Sequence, residues 1–495
     1  MVIPIALYFM FTPFLMVGLG IIAEKMKIKN LREVGAIVFS AANILGVYSL
    51  YGMVQESVNN ILIISLVGPP PLGACLEIDM LSIYIAFSAA MLGLFTTIYS
   101  MKYMEHDTRL TEFYTLLSIL VISMIGVAFS GDFFTLFIFW EMMGITSYTL
   151  VAFRKESWGP IEAGFKYMVM GAVGSTVLLI GIGLIYGMAG TVNFAQISNS
   201  LNGSPLNLWS LLVLVIIIVG FGIKSAIVPL HTWLPDAHPE APSPISAMLS
   251  GMLIETALYA MARVLFLVYE PEVFQSAIAG LALLTMCFAN LLALLQQDIK
   301  RMLAYSSIAQ VGYMLIGLAS GTVWGMQGLF LHVFNHSLMK GLAFLSAGSI
   351  VHISNTRNVD ELKGIGRVMP LTTAGLFVAL MGLGGIPATC GFISKYMLFG
   401  SAIEAGMGWL TIAGVLNSAF SMAYYLRVIK NLIGEPSDSI KKLKEAPTLM
   451  VAITSIMALF VILFGIYPEP AVYYARLASE ALVSGLSSYI GAVLG

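Results

Sequence analysis

Long apolar stretches follow one another along almost the whole chain, and they limit its fold more than any other feature. A helix needs about 20 consecutive apolar residues to cross the hydrocarbon core of a bilayer. Windows of this kind lie at 3–22, 34–54, 80–101, 113–131, 132–153, 161–187, 207–228, 245–267, 273–296, 302–321, 324–351, 369–399, 408–427 and 447–467. Only 10% of the residues are charged, whereas a soluble domain carries about 25%. Residues 1–495 therefore predict a single all-α integral membrane domain with about fourteen transmembrane helices.

Several classes of protein are excluded by what the sequence lacks. The net charge of −2 gives no basic field for nucleic acid. Cys75, Cys287 and Cys390 stand far apart with no CxxC spacing, so we expect no metal and no cluster. The glycines of 181–187 miss the dinucleotide fingerprint by one residue and lie inside an apolar window, which favours close helix packing. No catalytic motif is present, so we expect no cofactor, and energy must come from an ion gradient or a partner.

Lysine and arginine indicate the orientation in the membrane. With an outside N-terminus, eighteen of the 24 basic residues fall in connections on one side and two on the other. Because such residues collect on the cytoplasmic side, both termini are predicted outside a cell (inner, cytoplasmic) membrane. Residues 3–22 lack the features of a signal peptide, so they predict a retained first helix.

Two segments allow more than one interpretation. Residues 55–79 hold an apolar run that is too short to span and ends at the prolines 69–71, so they predict an outside loop that can include a strand. Residues 470–494 are apolar with a few polar positions, and they fit either a surface helix or a fifteenth span.

Ionisable residues inside the spans are the strongest functional signal. They are Glu141, Lys166, Lys224, Glu255, Lys340 and Lys395. Each such charge costs about 2.5–3.5 kcal/mol near the centre of a helix. They must therefore face a hydrated interior or one another, and a row of them through the membrane is expected for ion conduction.

In the first half of the chain, the depth of each charge within its apolar window distinguishes an interfacial position from a role in conduction. Lys166 is close enough to the end of its window to snorkel to the interface, which competes with a role in conduction. Glu141 lies too deep in its window to reach the interface in the same way. Lys224 stands five residues before Pro229, which should break the helix and free carbonyls beside the lysine. Glu255 lies about eleven residues into its window, which favours function.

In the second half, His332, His336 and Lys340 are spaced i, i+4 and i+8, which puts them on one helical face. Two histidines at this spacing can bind a metal, but no third ligand accompanies them, so a proton relay is favoured. A second interrupted helix precedes Lys395, and its break is predicted from three residues. These are Gly384, Gly385 and Pro387.

With these segments in view, the chain resembles a known family of antiporter-like membrane subunits. The family is shared by respiratory complex I, energy-converting membrane-bound hydrogenases and related oxidoreductases, and Mrp-type sodium/proton antiporters. The matching stretches include FIFWEMMGITSYTLVAFR, IEAGFKYMVMGAVGS, GFGIKSAIVPLHTWLPDAHPEAPSPISAMLSG, LLALLQQDIKRMLAYSSIAQVGYMLIGL, HVFNHSLMKGLAFLSAGSI and GGIPATCGFISKY. The resemblance covers roughly residues 110–400, and motifs of this length in this order are highly specific.

The resemblance implies an architecture. It implies an antiporter core at 110–430, built of two five-helix repeats of inverted topology at about 113–267 and 273–427. Each repeat would hold one broken helix, at 207–228 and 369–399, and residues 431–495 would be additional C-terminal helices.

The resemblance also implies roles for residues. Glu141 would pair with Lys224, and Lys166 would lie near that pair. The axis would continue through Lys340 with His332 and His336, and Lys395 would be the exit lysine.

One position departs from the family. Many relatives have a lysine where this chain has Glu255, so a lysine-only link between the two halves is in doubt. A carboxylate can coordinate sodium and an ammonium cannot, which leaves proton and sodium open as the carried ion.

The favoured function is proton translocation by a subunit of a redox-driven complex. Its partners would be other membrane subunits, including further antiporter-like ones, and the lipid bilayer. Three alternatives are an Mrp-type cation/proton antiporter subunit without redox chemistry, a non-conducting scaffold, and a solitary symporter.

Overall fold

The computed structural model is almost entirely helical, and it describes residues 2–26, 28, 30–66, 73–201, 207–438 and 440–494. Its α-helices are α1 Val2–Met26, α2 Leu31–Glu56, α3 Met80–Tyr103, α4 Leu110–Phe129, α5 Phe133–Val151, α6 Trp158–Ala189, α7 Phe194–Leu201, α8 Leu208–Lys224, α9 Leu234–Glu240, α10 Ser243–Met248, α11 Ile254–Val268, α12 Pro271–Leu294, α13 Ile299–Ser320, α14 Val323–Ser354, α15 Pro370–Gly384, α16 Cys390–Glu404, α17 Gly408–Ile433, α18 Thr448–Ile466, α19 Glu469–Val483 and α20 Leu486–Leu494. A π-helical turn, Leu249–Leu253, joins α10 to α11.

Short acidic caps explain where several of these helices begin. The Asp79 carboxylate accepts from the Ser82 amide (2.7 Å) at the start of α3, and Asp132 does the same for the Thr135 amide (2.7 Å) at α5. Asp298 accepts from the Lys300 amide (2.8 Å) at α13. These bonds satisfy amides that have no partner within the first helical turn, so the polar residues between apolar windows fix the helix starts.

Within the described residues, 11 helices are long and apolar enough to cross a membrane, or 12 if the bent pair of α19 and α20 counts as one span. The chain is therefore a multi-pass membrane protein, as its sequence predicts. Helices occupy all fourteen apolar windows. However, α8 has 17 residues and α15 and α16 have 15 each, so none of these three is long enough by itself.

The most enclosed helices form the centre of the bundle. Every residue in the apolar window of α13 is buried, and so are 94% of those in Ser243–Val268. Helix α14 packs against α13, α15, α16, α18 and α19, while α2, α17 and α18 keep most of their surface outside. Polar residues in the middle of α11, α13 and α14 are therefore surrounded by protein.

A β-hairpin marks one end of the bundle. Strands β1, Leu62–Ser65, and β2, Cys75–Ile78, pair antiparallel, which confirms the strand expected in the loop, whereas the prolines at 69–71 lie outside the described residues. We call this the hairpin end, and it also holds the first turns of α3 and α14. The opposite end holds the start of α13.

The C-terminal pair α19 and α20 is bent by 69°. Near the start of α19, the Val472 carbonyl accepts from Gln327 (3.1 Å), in the first turns of α14. On α20, the Tyr489 hydroxyl donates to Glu77 of β2. Both contacts are at the hairpin end, so the pair returns to the end where it begins, which favours the surface alternative over a complete fifteenth crossing.

Candidate functional site

Two helices are interrupted beside a lysine. Helix α8 ends at Lys224, and residues 225–233, which include Pro229, form turns before α9 begins. Helix α15 ends at Gly384, Gly385 has φ +80°, and α16 begins only at Cys390, after Pro387. Each interruption leaves backbone carbonyls without helical partners, and each reaches the surface of the isolated chain, where Pro229 and Pro387 are exposed.

Lys224 is buried against one face of α5. Its ammonium donates to the Trp140 carbonyl (3.1 Å) and lies 4.6 Å from the centre of the Trp140 ring and 5.8 Å from that of Tyr148. Gly144 lies between these two aromatic residues, and a Cβ there would come within 2.8 Å of the lysine nitrogen. The site is therefore a carbonyl and two aromatic faces, which hold a cation without a carboxylate.

Glu141 does not form the ion pair with Lys224 that the resemblance implies, because the ammonium is turned toward Trp140. Its Oε1 is buried and has no hydrogen-bond partner among the residues that the structure describes. Glu141 lies between Ile138 and Ile145, which are 49% and 61% exposed on the isolated chain. The carboxylate therefore sits at the edge of the bundle, beside an uncovered apolar face.

Lys166 lies in a different environment. Its side chain is 49% exposed and pairs with Glu162 (2.8 Å) and Asp236 (3.4 Å), and Asp236 also pairs with Arg301 (3.1 Å). The neighbouring Tyr167 instead points inward. The geometry thus fits the interfacial alternative for Lys166, in a surface ion cluster between α6, α9 and α13.

The predicted face of α14 is completely buried. The two nitrogens of His332 contact Ser394 (2.8 Å, Nδ1) and Gln310 (3.1 Å, Nε2). The Lys340 ammonium donates to the Leu303 carbonyl (2.9 Å) and the Ser306 hydroxyl (2.7 Å). The His332 ring is thus engaged by neutral side chains. In the part of the chain that the structure describes, no group of three His, Cys, Asp or Glu side chains could hold a metal ion.

Glu255, the position that departs from the family, contacts His336. Its Oε1 is hydrogen bonded to His336 Nδ1, and both side chains are fully buried. Glu255 Oε2 and His336 Nε2 have no hydrogen-bond partner in the described residues. Since Glu255 belongs to the first predicted repeat and His336 to the second, this contact joins the two halves.

Lys395 lies at the second interruption. Its ammonium donates to the Leu383 carbonyl (2.7 Å) and the Ser418 hydroxyl (2.9 Å), and it lies 4.5 Å from the centre of the Tyr313 ring. Gln310 also donates to the Leu383 carbonyl (3.0 Å). Because Gln310 bonds His332 as well, a continuous network runs from the α14 face to Lys395.

Two buried basic residues are missed by sequence reasoning. His238 is fully buried, stacks on Phe344 at 4.7 Å between ring centres, and has no partner for either ring nitrogen among the residues described. Lys300 is buried and donates to the carbonyls of Ala241 (2.6 Å) and Pro239 (3.3 Å). Lys300 precedes its apolar window by two residues, so it counts with the basic residues of a connection. A histidine in the PDAHPE segment after a predicted break is the available signal.

The arrangement can carry protons. Histidines, carboxylates and buried lysines all exchange protons, and several of their polar atoms lack a protein partner in the described part of the chain. Buried polar atoms of this kind are usually satisfied by water.

Family models match most of the chain. The model described as NADH:quinone oxidoreductase/Mrp antiporter, TM, matches residues 130–421. The model described as NADH-Ubiquinone oxidoreductase (complex I), chain 5 N-terminus, matches residues 67–114.

Individual proteins are similar over most of their length. F(420)H(2) dehydrogenase subunit N of Methanosarcina mazei is 33% identical over 423 residues, which cover 82% of this chain and 85% of that protein. NADH-quinone oxidoreductase subunit N of Desulforudis audaxviator is 35% identical over 391 residues, with 77% of each covered.

Solved structures share the fold. A chain of the membrane-bound sulfane sulfur reductase, an archaeal respiratory membrane complex, aligns with a TM-score of 0.88 at 28% identity, covering 99% of this chain and 98% of that one. A chain of the Mrp complex from Dietzia aligns with a TM-score of 0.91 over 100% of both chains at 21% identity, which shows the fold alone. The chain belongs to the NADH:quinone oxidoreductase/Mrp antiporter family of membrane subunits.

Proposed function

We propose that this chain translocates protons across a cell membrane as an antiporter-like subunit of a redox-driven complex. One observation carries the proposal: Lys224, Lys340 and Lys395 are buried, and each ammonium donates to a backbone carbonyl rather than to a carboxylate. A lysine held in this way can release its proton without leaving a carboxylate unpaired. The relatives are named as subunits of NADH-quinone oxidoreductase and F(420)H(2) dehydrogenase, which supports a redox partner.

The finer architecture is part of the proposal. It has fourteen spans, in which α8 with α9 and α15 with α16 cross as broken helices, and two inverted repeats at about 113–267 and 273–427 within a core at 110–430. The two similar interruptions support this arrangement. Basic residues at the opposite end support a cytoplasmic position for that end, with the hairpin end and both termini outside.

The first half of the axis works as an electrostatic gate. Lys224 contacts the Trp140 carbonyl in this structure, while the Glu141 Oε1 lies buried without a hydrogen bond to any described residue. If the ammonium moves to Glu141, the carboxylate stabilises its charged form. When the contact opens, that stabilisation is lost and the proton can pass toward Glu255 and His336. Only a side chain has to move, so a partner can trigger the step.

A partner subunit would cover Glu141. The carboxylate lies on the α5 face that exposes Phe134, Ile138 and Ile145. A carboxylate beside lipid is costly, so a second membrane subunit against this face supplies a more polar neighbour. Lys166, in its surface ion cluster, would then lie near the same border.

An Mrp-type antiporter subunit without redox chemistry is the second candidate. The alignment with the Mrp chain over its whole length supports it only at the level of fold. Sodium is the second candidate ion, because the buried Glu255 carboxylate offers an oxygen ligand of the kind that hard cations prefer.

The test is proton pumping by the intact complex in vesicles, measured together with electron transfer. Lys224→Ala should lower pumping at least about tenfold, because a positioned proton carrier contributes about 100-fold or more to proton transfer. Lys102→Ala is the matched control, since Lys102 is half-exposed and pairs with Glu105 (3.0 Å) at the surface. Wild-type pumping in the Lys224 variant would favour the alternative that the chain is a non-conducting scaffold. Sodium-dependent transport without an electron donor would favour the Mrp type.

A further inference from the structure

A second row of buried polar residues leaves the central axis at Glu255. Glu255, Tyr259 and Arg263 are spaced i, i+4 and i+8 on α11, so they lie on one face about 6 Å apart along the helix. Glu255 and Tyr259 are at most 1% exposed, and Arg263 is 5% exposed. The row points from the middle of the bundle to the hairpin end.

Hydrogen bonds join the members of this row. Arg263 donates to the Tyr259 hydroxyl (3.3 Å), which itself donates to the Ala128 carbonyl (2.8 Å). Arg263 also pairs with Asp79 (2.9 Å), the residue that caps α3. The charge at position 263 is therefore fixed at the start of α3.

Glu77 of β2 extends the row to the hairpin. Its carboxylate accepts hydrogen bonds from Asn193 (3.1 Å) and from Tyr489 of α20. The positive charge of Arg263 also interacts electrostatically with this carboxylate. Burial raises the pKa of the Glu77 carboxyl above its ordinary value, so it takes up a proton at a higher pH than an exposed carboxylate does.

Polar atoms without partners accompany the row along its length. They are Glu255 Oε2, the Tyr84 hydroxyl and Arg263 Nε, all buried and without a hydrogen bond in the described residues. Tyr84 is five residues into α3 from the Asp79 cap, and it feels the charge of Glu255. Three unsatisfied buried groups would be costly in a dry interior, whereas a file of water molecules along the row would satisfy all of them. A purely structural ion pair between α3 and α11 does not need them.

We propose that these residues line a hydrated branch through which protons pass between Glu255 and the hairpin end of the bundle. We call it the hairpin branch, and it consists of Glu255, Tyr84, Tyr259, Arg263, Asp79 and Glu77. It presupposes the translocation function proposed above. Protons move along the water and the tyrosine hydroxyls, and Glu77 is the terminal acceptor. Arg263 stays charged and repels metal cations from the part of the branch that it lines.

Hydroxyl-radical footprinting of the intact complex tests the hydration directly, since it labels buried side chains that touch water. The Tyr84 hydroxyl has no hydrogen-bond partner among the described residues, so Tyr84 should be labelled several times faster than Tyr99, a buried tyrosine whose hydroxyl is bonded to the Leu345 carbonyl (2.9 Å) and Ser349 (2.9 Å). Equal labelling of the two tyrosines would overturn the branch.

Pumping by phenylalanine variants tests the function. Tyr84→Phe and Tyr259→Phe remove one oxygen each and should lower the protons moved per electron pair severalfold, while Tyr99→Phe should leave the ratio unchanged. Wild-type ratios in both variants would overturn the branch. If Lys224→Ala still abolishes pumping in that case, the proposed function stands without the branch. If Lys224→Ala also pumps normally, both proposals fail.

Discussion

The absence of a single methyl group decides where the Lys224 ammonium can lie. Gly144 is on the inward face of α5, and a Cβ there would be 2.8 Å from the lysine nitrogen and 2.9 Å from the Tyr148 hydroxyl. A glycine inside a helix usually lowers stability by about 1 kcal/mol relative to alanine. A glycine at position 144 is therefore unfavourable for the helix itself, and the space that the Lys224 ammonium needs is the steric reason for it.

We predict that Gly144→Ala displaces Lys224 and lowers proton pumping about as much as Lys224→Ala, since a displacement of about 1 Å can cost 100-fold in a positioned reaction. Complex assembly and electron-donor oxidation in detergent should persist. Gly183→Ala is the matched control, because Gly183 lies in the helix α6 and a Cβ there has no neighbour within 4 Å among the described residues. Normal pumping by the Gly144 variant would show that the observed lysine position is not the working one.

At the scale of elements, apolar length predicts the helices well and the polar details poorly. The interruption at 385–389 could be predicted because Gly384, Gly385 and Pro387 oppose helix formation by their backbone chemistry alone. By contrast, the side on which Lys166 emerges depends on how α6 is rotated against α9 and α13. Lys300 is buried only because α13 packs against the segment at Pro239–Ala241. Such packing is a tertiary property, and apolar windows carry little rotational information.

The same element scale gives a prediction for the second interruption. Gly385→Ala should lower pumping because φ is +80° and the new Cβ would lie 3.0 Å from Lys395 Cδ. A left-handed conformation costs an alanine about 1–2 kcal/mol. Gly406→Ala is the matched control, since Gly406 has φ +75° but no neighbour within 4 Å in the described part of the chain. It carries the backbone strain without the contact to a lysine.

The comparison is made on vesicles that hold the assembled complex, with thermal stability measured in parallel. Both variants should lose a similar amount of stability, and only the Gly385 variant should lose pumping. Equal pumping by the two variants would indicate that Lys395 is not part of the transport path.

For the whole molecule, the contact between Glu255 and His336 is the point where the proposed path would cross from the first predicted repeat to the second. The first half holds the interruption at Lys224, and the second holds the network from His332 through Gln310 to Lys395. The family resemblance implies a lysine at this junction, so Glu255 replaces a cationic side chain that can release a proton by a carboxylate that can take one up.

We therefore predict that Glu255→Gln leaves each half intact but disconnects them. Glutamine keeps the hydrogen-bonding shape toward His336 but cannot release a proton at the pH of a cell, so pumping should fall at least about tenfold. Glu255→Lys supplies the family's residue and should recover part of the pumping, with any sodium dependence of the wild type lost. Glu272→Gln, at the exposed first turn of α12, is the matched control. A complex with the Glu255→Gln substitution that pumps as well as the wild type would mean that protons cross between the halves by a route that avoids Glu255.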